Sequence, residues 1–298
     1  MSKQFTDTET IVQPVKHSIN KLPWINPVGG LGDVLMYSGV LKQVFDKNPE
    51  KKFNLVRRTK YWEMLKGHPA IETIGFPKKD DEIVHTSYWS MEELGPGNQR
   101  PYQILARSFG LDTPVEETLY FPDGVKQDLF LHNFIPWKKK NILIATTSDS
   151  PRKMMHPMAW HHLVERLLST DSLVIQAGRQ KDLYIKGAYS VLGATTPAEL
   201  ISLIAKCDLV ICPDNFVMHA ARLLNKPAIV LWGPTSHKVY GYPGHVHFQA
   251  DTDFCEFKTN CIGPHCSENY GTACPLKELH CLNKINVDDI YNSVFNLI

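Results

Sequence analysis

The amino-acid sequence predicts an α/β protein built from two parallel-sheet units that face each other across a cleft. Short apolar runs of strand type alternate with helical stretches along the chain, the pattern of strand–helix–strand crossovers. The alternation breaks once, at FIPWKKKN (residues 134–141), where Pro136 and the lysines interrupt the apolar pattern, and it then restarts more clearly. A length of 298 residues suits two domains of about 100–200 residues each. The expected division is a polar tail at 1–20, a first unit at 21–136 and a second at 137–298, the last carrying a Cys-rich segment at 255–281.

In the first unit LPWINP supplies a short strand and VGGLGD a glycine-rich turn. VLMYSGVLKQVF follows as a helix, because Val34, Tyr37, Leu41, Val44 and Phe45 fall on one face at helical spacing. Asn48-Pro49 ends it. FNLVRR and AIETIGF read as strands around a short helix at YWEMLKG, residues 78–100 as irregular, and RPYQILARSFG as a helix ending at Gly110. In the second unit NILIATT, SLVIQAG, DLVICP and PAIVLWGPT are strands. Between and after them come the helices PMAWHHLVERLLS, with Pro157 in its first turn, TPAELISLIAK, with Thr196 as cap and Pro197 behind it, NFVMHAARLLNK and NVDDIYNSVFNLI.

Apolar residues make up 43% of the chain and charged residues 21%, which excludes a disordered or fibrous protein. Lys+Arg is 32 against Asp+Glu 31, and this balance argues against a dedicated nucleic-acid binder. No run approaches the roughly 18 apolar residues of a membrane span. The polar start MSKQFTDTETIVQPVKHSIN lacks the apolar core of a signal peptide, so a cytoplasmic protein is expected.

Three segments have the composition of a site. Gly29-Gly30-Leu31-Gly32-Asp33 sits between a strand and a helix, where glycines let backbone amides approach a ligand and the helix start favours an anion. It reads as a plain turn capped by Asp33, or as half of a dinucleotide fingerprint with Arg57-Arg58 at a 2′-phosphate and Leu35 at the third glycine position. A third reading makes Asp33 a carboxylate facing the cleft, suited to deprotonating an acceptor hydroxyl. Asp214-Asn215-Phe216-Val217-Met218-His219 opens a helix after the strand DLVIC, so that helix amides and the positive dipole end meet a diphosphate beside Gly233, Pro234 and Thr235. Thr146-Thr147-Ser148-Asp149-Ser150-Pro151-Arg152-Lys153 is a polar, basic loop of the kind that clamps phosphate. All three lie where open parallel sheets bind ligands, beyond the carboxyl ends of strands.

These segments resemble a known family. GGLGDVLMYSGVLK, IATTSDSPRKMMHPMAWHHLVERL, GATTPAELISLIAKCDLVICPD, DNFVMHAARLLNKPAIVLWGPT and CPLKELHC are similar, in this order, to motifs of the glycosyltransferase family 9, the ADP-heptose:lipopolysaccharide heptosyltransferase-like proteins. The resemblance spans roughly residues 24–298, thinning at about 78–135. It implies a GT-B fold of two Rossmann-like domains and an inverting transfer of sugar, with the acceptor on the first domain and the nucleotide-sugar on the second. It implies no metal in the departure of the nucleotide. Asp33 matches the general base, and Lys153 with Arg152 beside it matches the basic group at the leaving diphosphate. Gly32, Thr146, Thr147, Thr195, Asp214, Asn215, His219, Gly233, Pro234 and Thr235 match donor-binding positions. Phe216 departs from the small residue usual at its position.

The implied function is transfer of a sugar, heptose by family custom, from a nucleotide diphosphate to a glycan of the lipopolysaccharide core or to a protein hydroxyl. A nucleotide-sugar epimerase and a non-catalytic binding protein of the same fold are the alternatives. A lipid-linked acceptor would bring the chain to a membrane surface without a spanning segment. No nucleic-acid partner is expected.

Five cysteines, Cys255, Cys261, Cys266, Cys274 and Cys281, crowd the C-terminal part, with His265 and His280 among them. Four thiolates of such a run suit a structural zinc or iron, although no C-x₂-C pair is present. Buried free thiols and, less in keeping with a cytosolic chain, disulfides are the other readings.

Overall fold

The computed structural model describes residues 22–86, 88, 100–126, 129–253, 255, 274 and 281–298. The first sheet contains β1 (Trp24–Pro27), β2 (Phe53–Val56), β3 (Ile71–Gly75) and β4 (Ile83–Thr86), all parallel, in the order β3-β2-β1-β4. Helix α1 (Leu31–Lys47) follows β1, and α2 (Pro101–Ser108) follows β4 with a proline in its first turn.

The second sheet contains β5 (Lys140–Ala145), β6 (Ser172–Ala177), β7 (Tyr189–Ser190), β8 (Leu209–Pro213), β9 (Ala228–Trp232) and β10 (Val246–Gln249). Its strands are parallel in the order β10-β9-β8-β5-β6-β7. Counted within that unit, the order is 3-2-1-4-5-6, the doubly wound arrangement, and the first sheet repeats its first four places. The helices are α3 (Pro157–Leu168), α4 (Pro197–Lys206), α5 (Phe216–Leu223), α6 (His237–Tyr240) and α7 (Val287–Val294). Thr196 caps α4 through Oγ1, which accepts from the Glu199 amide, while Glu199 answers at the Thr196 amide.

Several elements depart from the sequence expectation, among them β7, β10 and α6, which form where no strand or helix is expected. Residues 83–86 form β4 inside the stretch expected to be irregular. The short helix expected at YWEMLKG is a single 3-10 turn, Trp62–Leu65. Helix α1 is buried around most of its first three turns, from Gly32 to Leu41, because α2 and α5 pack on faces the sheet leaves uncovered.

One apolar cluster runs through both units, from Ile25, Leu35 and Phe53 in the first to Leu143, Val210, Met218 and Tyr242 in the second. A second cluster, with Trp160, Leu163, Val174 and Ile290, fills the far face of the second sheet beneath α3 and α7. Helix α1 packs directly on α5. This contact brings together the starts of two helices, each launched from a strand next to the switch point of its own sheet.

Candidate active site

A cleft of about 750 Å³ lies between the two units, lined from the first by Gly29, Gly30, Gly32, Asp33, Tyr61 and Tyr88. That volume suits a small-molecule site. Gly29 has φ of +131°, and a β-carbon there would run into the Asp33 side chain. The resulting turn lets the Gly30 amide donate to Asp33 Oδ2 at 2.6 Å, while the Tyr88 hydroxyl donates to Oδ1. Burial raises the Asp33 carboxyl above its ordinary value, and the bonds from Tyr88 and Gly30 counter part of that rise. An ionised carboxylate with a raised pKa, reachable from a cleft, is a competent proton acceptor.

From the second unit the lining includes Thr147, Ser148, Arg152, Lys153, Thr195, Asp214, Asn215, Phe216, His219 and Thr235. Lys153 pairs with Asp214 at 2.7 Å. Burial alone would raise the Asp214 carboxyl, but the adjacent Lys153 ammonium holds it below its ordinary value. The Asn215 side chain accepts from the Val217 amide at 2.9 Å and donates to the Thr147 carbonyl at 2.8 Å, tying the start of α5 to the loop after β5. Ser148 Oγ adds a bond to the Asp214 carbonyl. The amide of Val217 is therefore capped rather than open to a ligand, and the helix offers its positive end mainly as a field.

His219 is buried, and its Nδ1 shares a 2.7 Å hydrogen bond with the Tyr242 hydroxyl. Burial lowers its pKa to about 4, so the ring is neutral at ordinary pH. Gly32 lies against this ring, where a β-carbon would overlap it. The glycines of the first motif thus serve a tight turn and close packing between units.

Three of the residues expected at the donor do not line the cleft. Thr146 is buried and its Oγ1 accepts from Gln176 Nε2 at 3.5 Å. Gly233 is turned towards the segment around Leu282 and the Arg152 carbonyl, either of which a side chain would meet, and Pro234 follows it away from the lining. Thr147 reaches the cleft, but its hydroxyl donates to Asp182 at 2.7 Å and so shapes the loop. Of the basic pair, Arg152 is buried, and Lys153 is the one whose ammonium faces Asp214.

Tyr88, Arg100, Glu117, Tyr240 and Tyr242 also line the cleft and were not anticipated from the sequence. Tyr88 stands just beyond β4, the strand beside β1 across the switch point, which like β7 and β10 has no clear signal in the sequence. Cys207 and Cys212 are buried, which pushes both thiols up and leaves them inert. Cys261, Cys266, His265 and His280 lie outside the described residues. Among the described residues no three His, Cys, Asp or Glu side chains converge as a metal set, so Cys255, Cys274 and Cys281 do not make one by themselves. Among the same residues no helix is long and apolar enough to cross a membrane.

Two parallel sheets of doubly wound order, with motif loops meeting in the cleft between them, define a protein of GT-B type. A family model described as glycosyltransferase family 9 (heptosyltransferase) matches residues 98–253, just over half the chain, and the chain belongs to that family. A stretch of 47 residues is 43% identical to lipooligosaccharide heptosyltransferase 2 of Haemophilus influenzae, covering 16% of this chain and 14% of that protein. Among solved structures, the dodecameric iron-containing heptosyltransferase TibC in complex with ADP-D-β-D-heptose aligns at a TM-score of 0.70 and 15% identity, over 93% of this chain and 75% of TibC. The glycosyltransferase family 9 structure from Veillonella parvula aligns at 0.67 and 12% identity, over 93% of this chain and 97% of its own. Escherichia coli heptosyltransferase WaaC with ADP aligns at 0.61 and 13% identity, over 93% and 100% respectively. At these identities the likeness is one of fold.

Proposed function

We propose that the protein is an inverting glycosyltransferase that moves a heptose from ADP-heptose to a hydroxyl of a glycan, such as a lipopolysaccharide core sugar, or of a protein. The observation that carries this reading is the opposition of Asp33, on the first unit, to the Lys153–Asp214 pair and the start of α5, on the second, within one cleft. The ADP and ADP-heptose held by the structural neighbours support the choice of donor.

Asp33 takes the proton of the acceptor hydroxyl as that oxygen attacks the anomeric carbon from the face opposite the nucleotide. The bond from the anomeric carbon to the diphosphate oxygen breaks, and its electron pair leaves with ADP. Negative charge grows on the diphosphate, where Lys153 and the positive end of α5 stabilise it. Asp214 holds the Lys153 ammonium in place before the donor arrives. Thr195 belongs with the nucleoside end of the cleft. Phe216, the first residue of α5, lines the cleft and sets the width available to the donor's diphosphate.

The Cys-rich segment is proposed as a structural staple in which four of its five thiolates hold zinc or iron. Its spacing and the iron-containing neighbour support this, and no step of the reaction runs through it. Metal content of the purified protein tests it, and absence of stoichiometric zinc or iron removes it. An acceptor linked to lipid would place the chain at a membrane surface.

Nucleotide release from ADP-heptose and from a panel of UDP-, GDP- and ADP-sugars, with and without acceptor extract, tests the function. Acceptor-dependent release from one donor, lost in Asp33→Asn, is the expected result. Release that needs no acceptor, or no release and no nucleotide-induced thermal shift, overturns the transferase reading.

A further inference from the structure

Arg100 makes polar bonds to both units. It belongs to the first unit, immediately before α2, yet its guanidinium reaches the second. Nε and Nη2 form a two-pronged pair with Glu117 at 2.5 and 2.7 Å. The outer end of the guanidinium donates to two carbonyls at the end of α6, with Nη2 at 2.6 Å from Gly241 O and Nη1 at 3.3 Å from Lys238 O. Carbonyls at a helix end lack partners within the helix, and a planar cation that meets two of them while held by a carboxylate is a directional clasp. These bonds engage most of the five N–H donors, so the group is built into the protein rather than presented to a ligand.

What the clasp holds is the roof of the cleft. Val239, Tyr240 and Tyr242 line it, and Tyr242 follows Gly241 directly. The Tyr242 hydroxyl bonds His219 Nδ1, and the other edge of the His219 ring lies on Gly32, one residue before Asp33. A continuous run of contacts therefore leads from Arg100 through Gly241, Tyr242 and His219 to the turn that orients Asp33. The two units already share an apolar cluster behind the cleft, and Arg100 joins them through polar bonds at its mouth.

We infer that Arg100, held by Glu117, is a positioning residue that locks the α6–Tyr242 segment over Asp33 and so sets the geometry in which acceptor and donor meet. The effect on turnover rests on the transferase reading above, whereas the lock itself is a property of the unliganded protein and is tested without it.

Amide hydrogen exchange of the full, unliganded chain is measured for the native protein, Arg100→Ala, Arg100→Lys and the milder Glu117→Gln. Faster exchange over residues 238–243 is expected in both Arg100 variants, with the rest of the second sheet unchanged, and a smaller increase in Glu117→Gln. Lysine keeps the charge but has no fork, so Arg100→Lys is expected to follow Arg100→Ala. In the same variants kcat falls by about 10²-fold, the scale of a misplacement of about 1 Å, while ADP affinity holds. Native exchange over 238–243 in Arg100→Ala and Glu117→Gln overturns the inference, as does full rescue by lysine. Altered exchange with no turnover in the native protein retains the lock and discards the transferase reading.

Discussion

Gly32 in α1 lies against the imidazole of His219 in α5, so closely that a β-carbon at Gly32 would overlap Cδ2 and stand 2.5 Å from Nε2. The ring is largely buried and its Nδ1 is held by Tyr242 at 2.7 Å, so moving it away from Gly32 would break that bond. Gly32→Ala therefore forces the two helices apart at the floor of the cleft. Overpacking of this kind costs about 1–3 kcal/mol. Reduced denaturation midpoint together with loss of turnover is expected. A stable, fully active Gly32→Ala protein would show that the helices have room that the packing denies.

Asp33→Asn keeps the shape of the side chain and removes its basicity. The Gly30 amide and Tyr88 hydroxyl both donate to the carboxylate, and the asparagine oxygen still accepts one of them. Turnover is expected to fall by about 10²–10⁴-fold, the usual contribution of a positioned base, with ADP affinity measured by calorimetry unchanged. Parallel loss of ADP binding would move Asp33 from proton transfer to donor binding.

The acid limb of the pH profile should identify the same group. Burial raises the Asp33 carboxyl, so kcat/KM falls with decreasing pH at values above the ordinary carboxylate range. The Tyr88 hydrogen bond works against this rise by stabilising the charged form. Tyr88→Phe removes that bond, and the acid limb is expected to move to higher pH while the plateau at alkaline pH changes less. An acid limb that stays in place would mean that another group controls it.

How much of this was legible beforehand depends on the distance over which each feature is encoded. Most of the second unit is legible because β5, β6, β8 and β9 are continuous apolar runs and α3 and α4 carry local start signals, as at Pro157 and at Thr196 with Glu199, whereas the short β7, β10 and α6 carry none. Asp33, Lys153 and Asp214 follow strands in the sequence and line the cleft, Asp33 from the first turn of α1, Lys153 from the 3-10 turn after β5 and Asp214 from just beyond β8. Strand β4 was not legible, because IVHT is four residues long, stands in a charge-rich stretch and takes its stability from pairing with β1. Tyr88 depends on β4 and was lost with it. The partners of Arg100 on α6 lie 138 and 141 residues away, and those of His219 and Gly32 are likewise set only when the units meet. Thr146, Gly233 and Pro234 do not line the cleft, since Thr146 is tied to Gln176 and Gly233 faces Leu282 and the Arg152 carbonyl, contacts that are set only in the folded unit.

Stability as well as turnover depends on pH in this fold. His68 is buried between α1 and the start of β3, with Nε2 2.9 Å from the Ser38 carbonyl and Nδ1 accepting from the Ala70 amide at 3.1 Å. One nitrogen must donate and the other must accept, so the fold requires the neutral ring with its proton on Nε2. Burial lowers the pKa to about 4 from the ordinary 6.5. Between these values the unfolded chain binds the proton and the folded chain does not. Stability is therefore complete above pH 6.5 and declines as pH falls towards 4, with each such ring contributing a slope of about 1.4 kcal/mol per pH unit. His219 and His245, also lowered to about 4, add slopes of the same sign. Urea denaturation from pH 7.5 to 4.5 is expected to show this decline. His68→Gln, which has an uncharged donor and acceptor, should be less stable at pH 7.5 yet lose less on acidification. An unchanged slope in His68→Gln would show that the ring protonates without breaking its bond to Ala70, against the geometry that holds it.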